Sequence, residues 1–284
     1  MTGKDMEKVC FFTIDLESFY DSMCLYSKKI KYDANYSYES GLNNYLDLLN
    51  KYDVKATIFS LVSSLDNSKD MLTNALNNNH EIALHGLNHD SPLDLDIDTF
   101  INNTKLAKEQ LEKALNTNIK GFRAPCFGIN DEIIEKLKEI GFKYDSSSFN
   151  FSLAMKSGKV NIDNYNKINS EIYEKDNFYE FQLAKDKAYN GHIPVSGGGY
   201  IRLVPWFVIK YYIKKYLKHN NSYVFYCHPF ELIKNKLPKI DSLNWKEKLF
   251  LKIGRSSFLK KIEWLIKYLK KKGFTFKRMS DVIS

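Results

Sequence analysis

Two histidines four residues apart, His85 and His89, follow the apolar run Ile82-Ala83-Leu84, and Gly86 lets the chain turn between them. Residues at this spacing can face one point, and neutral imidazole is the commonest protein ligand for zinc-like ions. Two such nitrogens and a carboxylate hold a divalent ion while leaving a position open for water or substrate. The same spacing also arises by chance from one core and one surface histidine, so the remaining parts of a site must come from elsewhere. Asp15 and Glu17 stand at the end of the apolar run Lys8–Ile14 and, in an extended segment, project to one side. They can share one ion or divide into a ligand and a base, the alternative being a helix N-cap followed by a first-turn acid. Arg123 ends another apolar run, and a guanidinium beside Asp15 would lower that carboxylate's pKa and fix its orientation. His228 closes a fourth run, Ser222–Cys227.

The elements that must position these groups alternate. Apolar strands at 8–14, 56–61, 82–85 and 119–123 are separated by helical patterns near 39–52, 68–77 and 98–115, and another helix follows at 130–140. Such alternation implies βαβ units and a parallel sheet; closed on itself, the sheet becomes a barrel with its chemistry at the C-terminal strand ends. Asp15, His85 and Arg123 all fall at such ends. From about 149 to 200 the periodicity fades, which predicts a loop-rich insert with one or two strands, chiefly Phe178–Leu183. It ends in Gly197-Gly198-Gly199-Tyr200, where glycines permit close backbone approach to a ligand without forming a nucleotide fingerprint. A helix over 205–218 is aromatic, apolar and basic, fit for core packing or for a membrane surface, and a basic helix at about 258–272 lies near the C-terminus.

At 284 residues and 44% hydrophobic content, the chain can bury one large core, so a single domain over 1–284 is expected. The net charge of +8 comes largely from lysine and suits anionic lipid headgroups or phosphate-bearing substrates. No nucleic-acid-binding pattern accompanies the lysines, so nucleic acid is not an expected partner. Without a secretory signal or a membrane-spanning run, a cytoplasmic location is expected. Cys10, Cys24, Cys126 and Cys227 lack metal-type spacing and are read as free thiols. No motif speaks to oligomeric state.

In order along the chain, Thr13-Ile14-Asp15-Leu16-Glu17, Ala56-Thr57-Ile58-Phe59, His85-Gly86-Leu87-Asn88-His89, Gly121-Phe122-Arg123-Ala124-Pro125, Tyr144-Asp145-Ser146-Ser147, Gly197-Gly198-Gly199-Tyr200 with Arg202, and His228-Pro229 resemble the polysaccharide deacetylase family. This is the NodB-homology group, carbohydrate esterase family 4; the likeness is greatest to its surface-polysaccharide-locus branch. The resemblance implies an α/β fold, a distorted (β/α)7 barrel, and metal-assisted removal of an N-acyl group from an amino sugar. By position, His85 and His89 match the metal histidines, Asp15 the general base, Arg123 the residue holding that base, and His228 the general acid. Most of the family has a second adjacent Asp as metal ligand, where this chain has Leu16; Glu17 is the expected substitute and Asp15 the alternative.

Cys126, through its backbone N–H, together with Asp145, Gly198, Tyr200 and Arg202 in the matched segments, is assigned to substrate binding. The implied cofactor is one divalent metal ion, zinc before cobalt, nickel or iron. The implied partner is an N-acetyl or N-formyl amino sugar of a surface-polysaccharide precursor, free or linked to a nucleotide or polyprenyl phosphate. Two other readings are a hydrolase of another C–N bond, such as a cyclic amide, and a glycan-binding barrel without catalysis.

Overall fold

The computed structural model describes residues 7–21, 40–148, 158–188, 191–234, 237–238 and 240–283. Its centre is β1 (Val9–Leu16), whose eight residues are all buried. A strand apolar on both faces needs cover on both, which is the environment of a parallel sheet wrapped by helices. After it come β2 (Ala56–Leu61), β3 (Glu81–Gly86), β4 (Gly121–Phe122) and β5 (Tyr144–Asp145). Between them run α1 (Ser40–Lys51), α2 (Leu65–Asn77), α3 (Ile97–Leu115) and α4 (Asp131–Ile140). The helix limits are written locally: Asp96 and Asn130 accept N-terminal backbone N–H groups of α3 and α4, and Gly141 ends α4 at φ 97°.

The segment expected to be loop-rich instead forms β6 (Asn166–Asn169), β7 (Ile172–Lys175), β8 (Phe178–Phe181), β9 (Lys185–Ala188) and β10 (Gly191–Pro194). Each is four residues long, and β6 exposes three of its four, so no apolar alternation marks it. The signal that was present is a turn: Asp176 and Asn177 take φ 55° and 61°, the two-residue connection that favours Asn and Asp. The remainder is α5 (Gly198–Leu203), α6 (Trp206–His219), β11 (Ser222–Cys227), α7 (Trp245–Lys252), α8 (Arg255–Lys271) and β12 (Thr275–Phe276).

The sheet order β11-β1-β2-β3-β4-β5-β8 contains seven parallel strands, extended by the antiparallel β7 and β6. This is the distorted (β/α)7 arrangement, with the gap between β8 and β11 bridged by other means. At one end the β6–β7 turn meets β11: Ser170 Oγ donates to Asn221 Oδ1 at 2.6 Å, and Glu171 N donates to Ser222 Oγ at 2.7 Å. At the other end, Val195 N donates to Ala184 O at 3.2 Å and Tyr226 N to Ser196 O at 3.1 Å. Cys10, Cys126 and Cys227 are buried free thiols, while Cys24 lies outside the described residues. Among the described residues, no helix is long and apolar enough to cross a membrane.

His80 shows how the first two helix–strand units are joined. Its Nδ1 accepts the Ala56 N–H at 3.1 Å while Nε2 faces Asn50 Oδ1 at 3.3 Å, so the ring works in its neutral form. Burial, and then Lys55 and Arg278, push its pKa down to about 4. The folded chain therefore binds fewer protons than the unfolded chain between about pH 4 and the ordinary value of 6.5. This contribution is fully present above pH 6.5 and is lost as pH falls toward 4. Chemical denaturation at pH 7 and pH 5 should show about 2 kcal/mol more loss for wild type than for His80→Gln, which keeps an acceptor but does not titrate.

Candidate metal and catalytic site

The two carboxylates at the end of β1 separate instead of sharing a side. Glu17 N donates to Asp15 O at 3.0 Å, which breaks the strand's alternation just past its last residue. Asp15 then turns to Arg123 Nη1 at 2.6 Å, and Glu17 turns to the histidines, its Oε2 lying 3.2 Å from His85 Nε2 and 2.6 Å from His89 Nε2. Gly86, at φ 128°, supplies the turn from β3 that brings His89 back beside His85; their ring centroids are 5.5 Å apart.

The ring orientation of His85 is dictated by a carbonyl. Its Nδ1 stands 2.8 Å from Arg123 O, which can only accept, so Nδ1 carries a proton, and in the neutral form that binds a metal the Nε2 lone pair would face Glu17. Two acceptors facing each other need a proton or a cation between them. Burial works against charge on Glu17, yet His89, His228 and His85 hold its carboxyl far below the usual range; His89 in turn is raised by Glu17 against its own burial. One ligand atom each from Glu17, His85 and His89 lie within 4.8 Å of one another, all three residues buried. A carboxylate and two imidazoles, one with its tautomer fixed by a backbone carbonyl, are a donor set that fits one divalent ion.

Arg123 is fully buried. Nε donates to Ser146 O at 2.8 Å, Nη1 to Thr13 Oγ1 at 2.8 Å and Asp15 Oδ1 at 2.6 Å, and Nη2 to Ser146 Oγ at 2.8 Å. The guanidinium carbon also lies 4.0 Å from the Phe59 ring centroid.

His228, at the end of β11, has a side chain 22% exposed, and its Nε2 is 3.5 Å from Glu17 Oε1. Glu231 Oε2 accepts the His228 backbone N–H at 3.0 Å and lies 3.2 Å from Nδ1, while Glu231 Oε1 accepts from Arg202 Nε at 3.1 Å. Burial would lower the imidazole pKa, but Glu17 and Glu231 outweigh it and raise it to about 9. The carboxylate three residues after a histidine at a strand end is the cue that points to Glu231, which sequence reasoning passed over.

A family model for polysaccharide deacetylase matches residues 29–144, and a domain of unknown function, DUF3473, matches 147–284. A peptidoglycan deacetylase of Helicobacter pylori is 28% identical over 142 residues, 49% of this chain and 47% of that protein. Residues 29–144 are similar to the polysaccharide deacetylase family, the NodB-homology group. The match thus spans about half the length of that curated relative. A Mycobacterium smegmatis protein assigned as a polysaccharide deacetylase shares the fold at a TM-score of 0.62 and 17% identity, covering 100% of this chain and 91% of that one. A carbohydrate esterase family 4 pseudoenzyme from Bacillus anthracis does so at 0.56 and 13%, covering 98% and 66%. The deacetylase and DUF3473 segments meet in one sheet, where β5 pairs with β8, and the candidate site draws His85, His89 and Arg123 from the first and His228 from the second.

Several residues assigned to substrate binding are placed elsewhere. Asp145 is fully buried; its oxygens accept from Ser147 N and Oγ at 2.7 and 2.6 Å. Burial raises its carboxyl to about 6, and burial together with the charge of Asp145 raises that of the neighbouring Glu180 well above the usual carboxylate value. Arg202 is 2% exposed and binds Glu231 and the Phe250 carbonyl. Gly198 is buried under Glu231, where an added Cβ would meet Oε2 at 2.5 Å and Cys227 Cβ at 2.9 Å. These three hold the framework behind Arg123 and His228. Tyr200 is half-buried against the cluster that includes Phe127 and Tyr226. Cys126 adopts φ 55°, with Sγ 4.0 Å from His89 Nδ1, which places the strained turn after β4 directly against the histidine.

Two outcomes follow from this geometry. Gly198→Ala should lower the unfolding free energy by about 1–3 kcal/mol, measured by denaturant titration. Glu17→Gln should weaken zinc binding about a hundredfold or more in chelator competition, whereas His228→Asn should leave it within about threefold.

Proposed function

We propose that this chain is a metal-dependent N-deacylase that removes an acetyl or formyl group from an amino sugar of a surface-polysaccharide precursor. The observation that carries the reading is the convergence, at neighbouring strand ends, of the Glu17–His85–His89 donor set, a carboxylate clamped by Arg123, and an exposed edge of His228. A divalent ion bound by the three donors would polarise the amide carbonyl and acidify a water. Asp15, oriented by Arg123, takes a proton from the attacking water. His228 keeps its Nδ1 proton on Glu231, so Nε2 is the atom that hands a proton to the departing amine. The net charge of +8 supports a phosphate-bearing carrier, nucleotide or polyprenyl, for the sugar.

The test is amine release from N-acetyl and N-formyl sugars, free and carrier-linked, by zinc-, cobalt-, nickel- or iron-reconstituted protein, with acetate and formate measured separately. Turnover should fall by about a thousandfold in His89→Ala. Undiminished turnover in that variant would remove the reading. Release from ring amides but from no sugar would move the activity to another C–N bond. Glycan binding without turnover in metal-loaded protein would make it a binding barrel.

A further inference from the structure

A surface helix of a globular protein normally turns its apolar arc to the core and its charges to water. Helix α7 leaves most of its apolar residues in water as well. Of its residues, only Leu251 is buried, while Trp245, Leu249 and Phe250, and Ile253 just beyond the helix, stand in solvent; Trp245 is 69% exposed. At 100° per residue, Trp245, Leu249 and Ile253 form one stripe, opposite Leu251, and Lys246 and Lys252 border it. Helix α6 repeats the pattern: Phe207, 77% exposed, and Tyr211 lie in line with the exposed Lys214 and Lys218. Arg202 joins the two, since it precedes α6 and its Nη1 donates to Phe250 O at 2.9 Å and to Ile253 O. Of the nine large apolar side chains exposed among the described residues, six lie on these two segments, which Arg202 links.

From this we propose that α7 and the exposed side of α6 form a docking surface for an anionic lipid bilayer. Trp, Phe and Tyr flanked by lysine match the depth profile of an interface, with rings at the headgroup boundary and ammonium groups at the phosphates. Charge selects this occupant over a second copy of the chain. The acids of the face are Glu247, bonded to the Asn244 N–H at 2.9 Å, and Asp241 at its rim, whereas a symmetric pairing would set Lys246, Lys248 and Lys252 against their own kind.

The surface also adjoins the candidate site. Leu251 packs in one cluster with Phe19, Tyr20 and Phe230, which follow Glu17 and His228 in sequence. Beneath the helix is a cavity of about 290 Å³ lined by Phe19, Ile240, Leu243 and Leu251, with Lys248 and Lys252 at its wall. The buried side of α7 is thereby linked, through Phe19 and Phe230, to the strand ends that carry Glu17 and His228. The proposal stands apart from the hydrolase reading, because vesicle binding requires no turnover.

The test is flotation of the full chain with phosphatidylcholine vesicles, pure or containing about one third phosphatidylglycerol. The expected result is recovery with the anionic vesicles at least about tenfold above the neutral ones, weakened by salt. The triple variant Trp245→Ser, Leu249→Ser, Phe250→Ser should lose about tenfold or more of that recovery with an unchanged circular dichroism spectrum and melting temperature, since all three side chains are exposed. Lys246→Glu with Lys252→Glu should abolish the preference for anionic lipid. No recovery with anionic vesicles, equal recovery of the triple variant, or a lipid-independent dimer that the triple variant dissolves would each overturn it.

Discussion

A permanently charged guanidinium with no access to water is the constraint on which the rest of this structure depends. Burying it without partners would cost many kcal/mol, so the surrounding strands must deliver acceptors to it. Thr13 and Asp15 come from β1, Ser146 comes from beyond β5, and the Phe59 ring comes from β2. The same residue's carbonyl accepts from His85 at the end of β3. Arg123 thus fixes by its side chain the carboxylate suited to proton transfer, and by its backbone the tautomer of an imidazole suited to a metal. A slip of any of these strands by one residue would break both, because it would turn the acceptors to the opposite face.

A second arginine does the same work on the opposite flank. Arg202 holds Glu231, Glu231 holds His228, and Gly198 is small because that carboxylate lies on it. The glycine-rich segment, which looks in sequence like a backbone cradle for a ligand, is a close-packing device behind the site. Its conspicuous composition marks close packing beside His228. Asp145 has a similar position behind Arg123, where it orders Ser147 next to the Ser146 that the guanidinium binds.

The parallel part of the sheet was legible because its strands are apolar on both faces and its helices carry caps and periodic faces. Residues that meet at strand ends could be named for the same reason, since a polar or charged group closing an apolar run is conspicuous: Asp15, Glu17, His85, Arg123 and His228 are brought together by β11, β1, β3 and β4. Short, half-exposed strands such as β6 and β7 were not legible, since four residues give too few alternations to register. Burial was equally invisible for Arg202 and Asp145, because sequence displays a charge but not the partner that lets it leave water. Glu231 was missed because it belongs to a tight turn after β11, where side chain–backbone bonding, not periodicity, decides position.

The turn that parts Asp15 from Glu17 has a consequence for how the site can change over time. Asp15 lies within the ladder, paired in register with Phe59, whereas Glu17 lies past the last rung. Under the proposed reading, the base would thereby be tied to the sheet and the metal-facing carboxylate to the segment that follows it. Substitutions just past β1 would then retune how firmly and which ion is held without disturbing the base. Substitutions in β1 would strike the base first, so cation preference and proton transfer could drift separately although their carboxylates are only two residues apart.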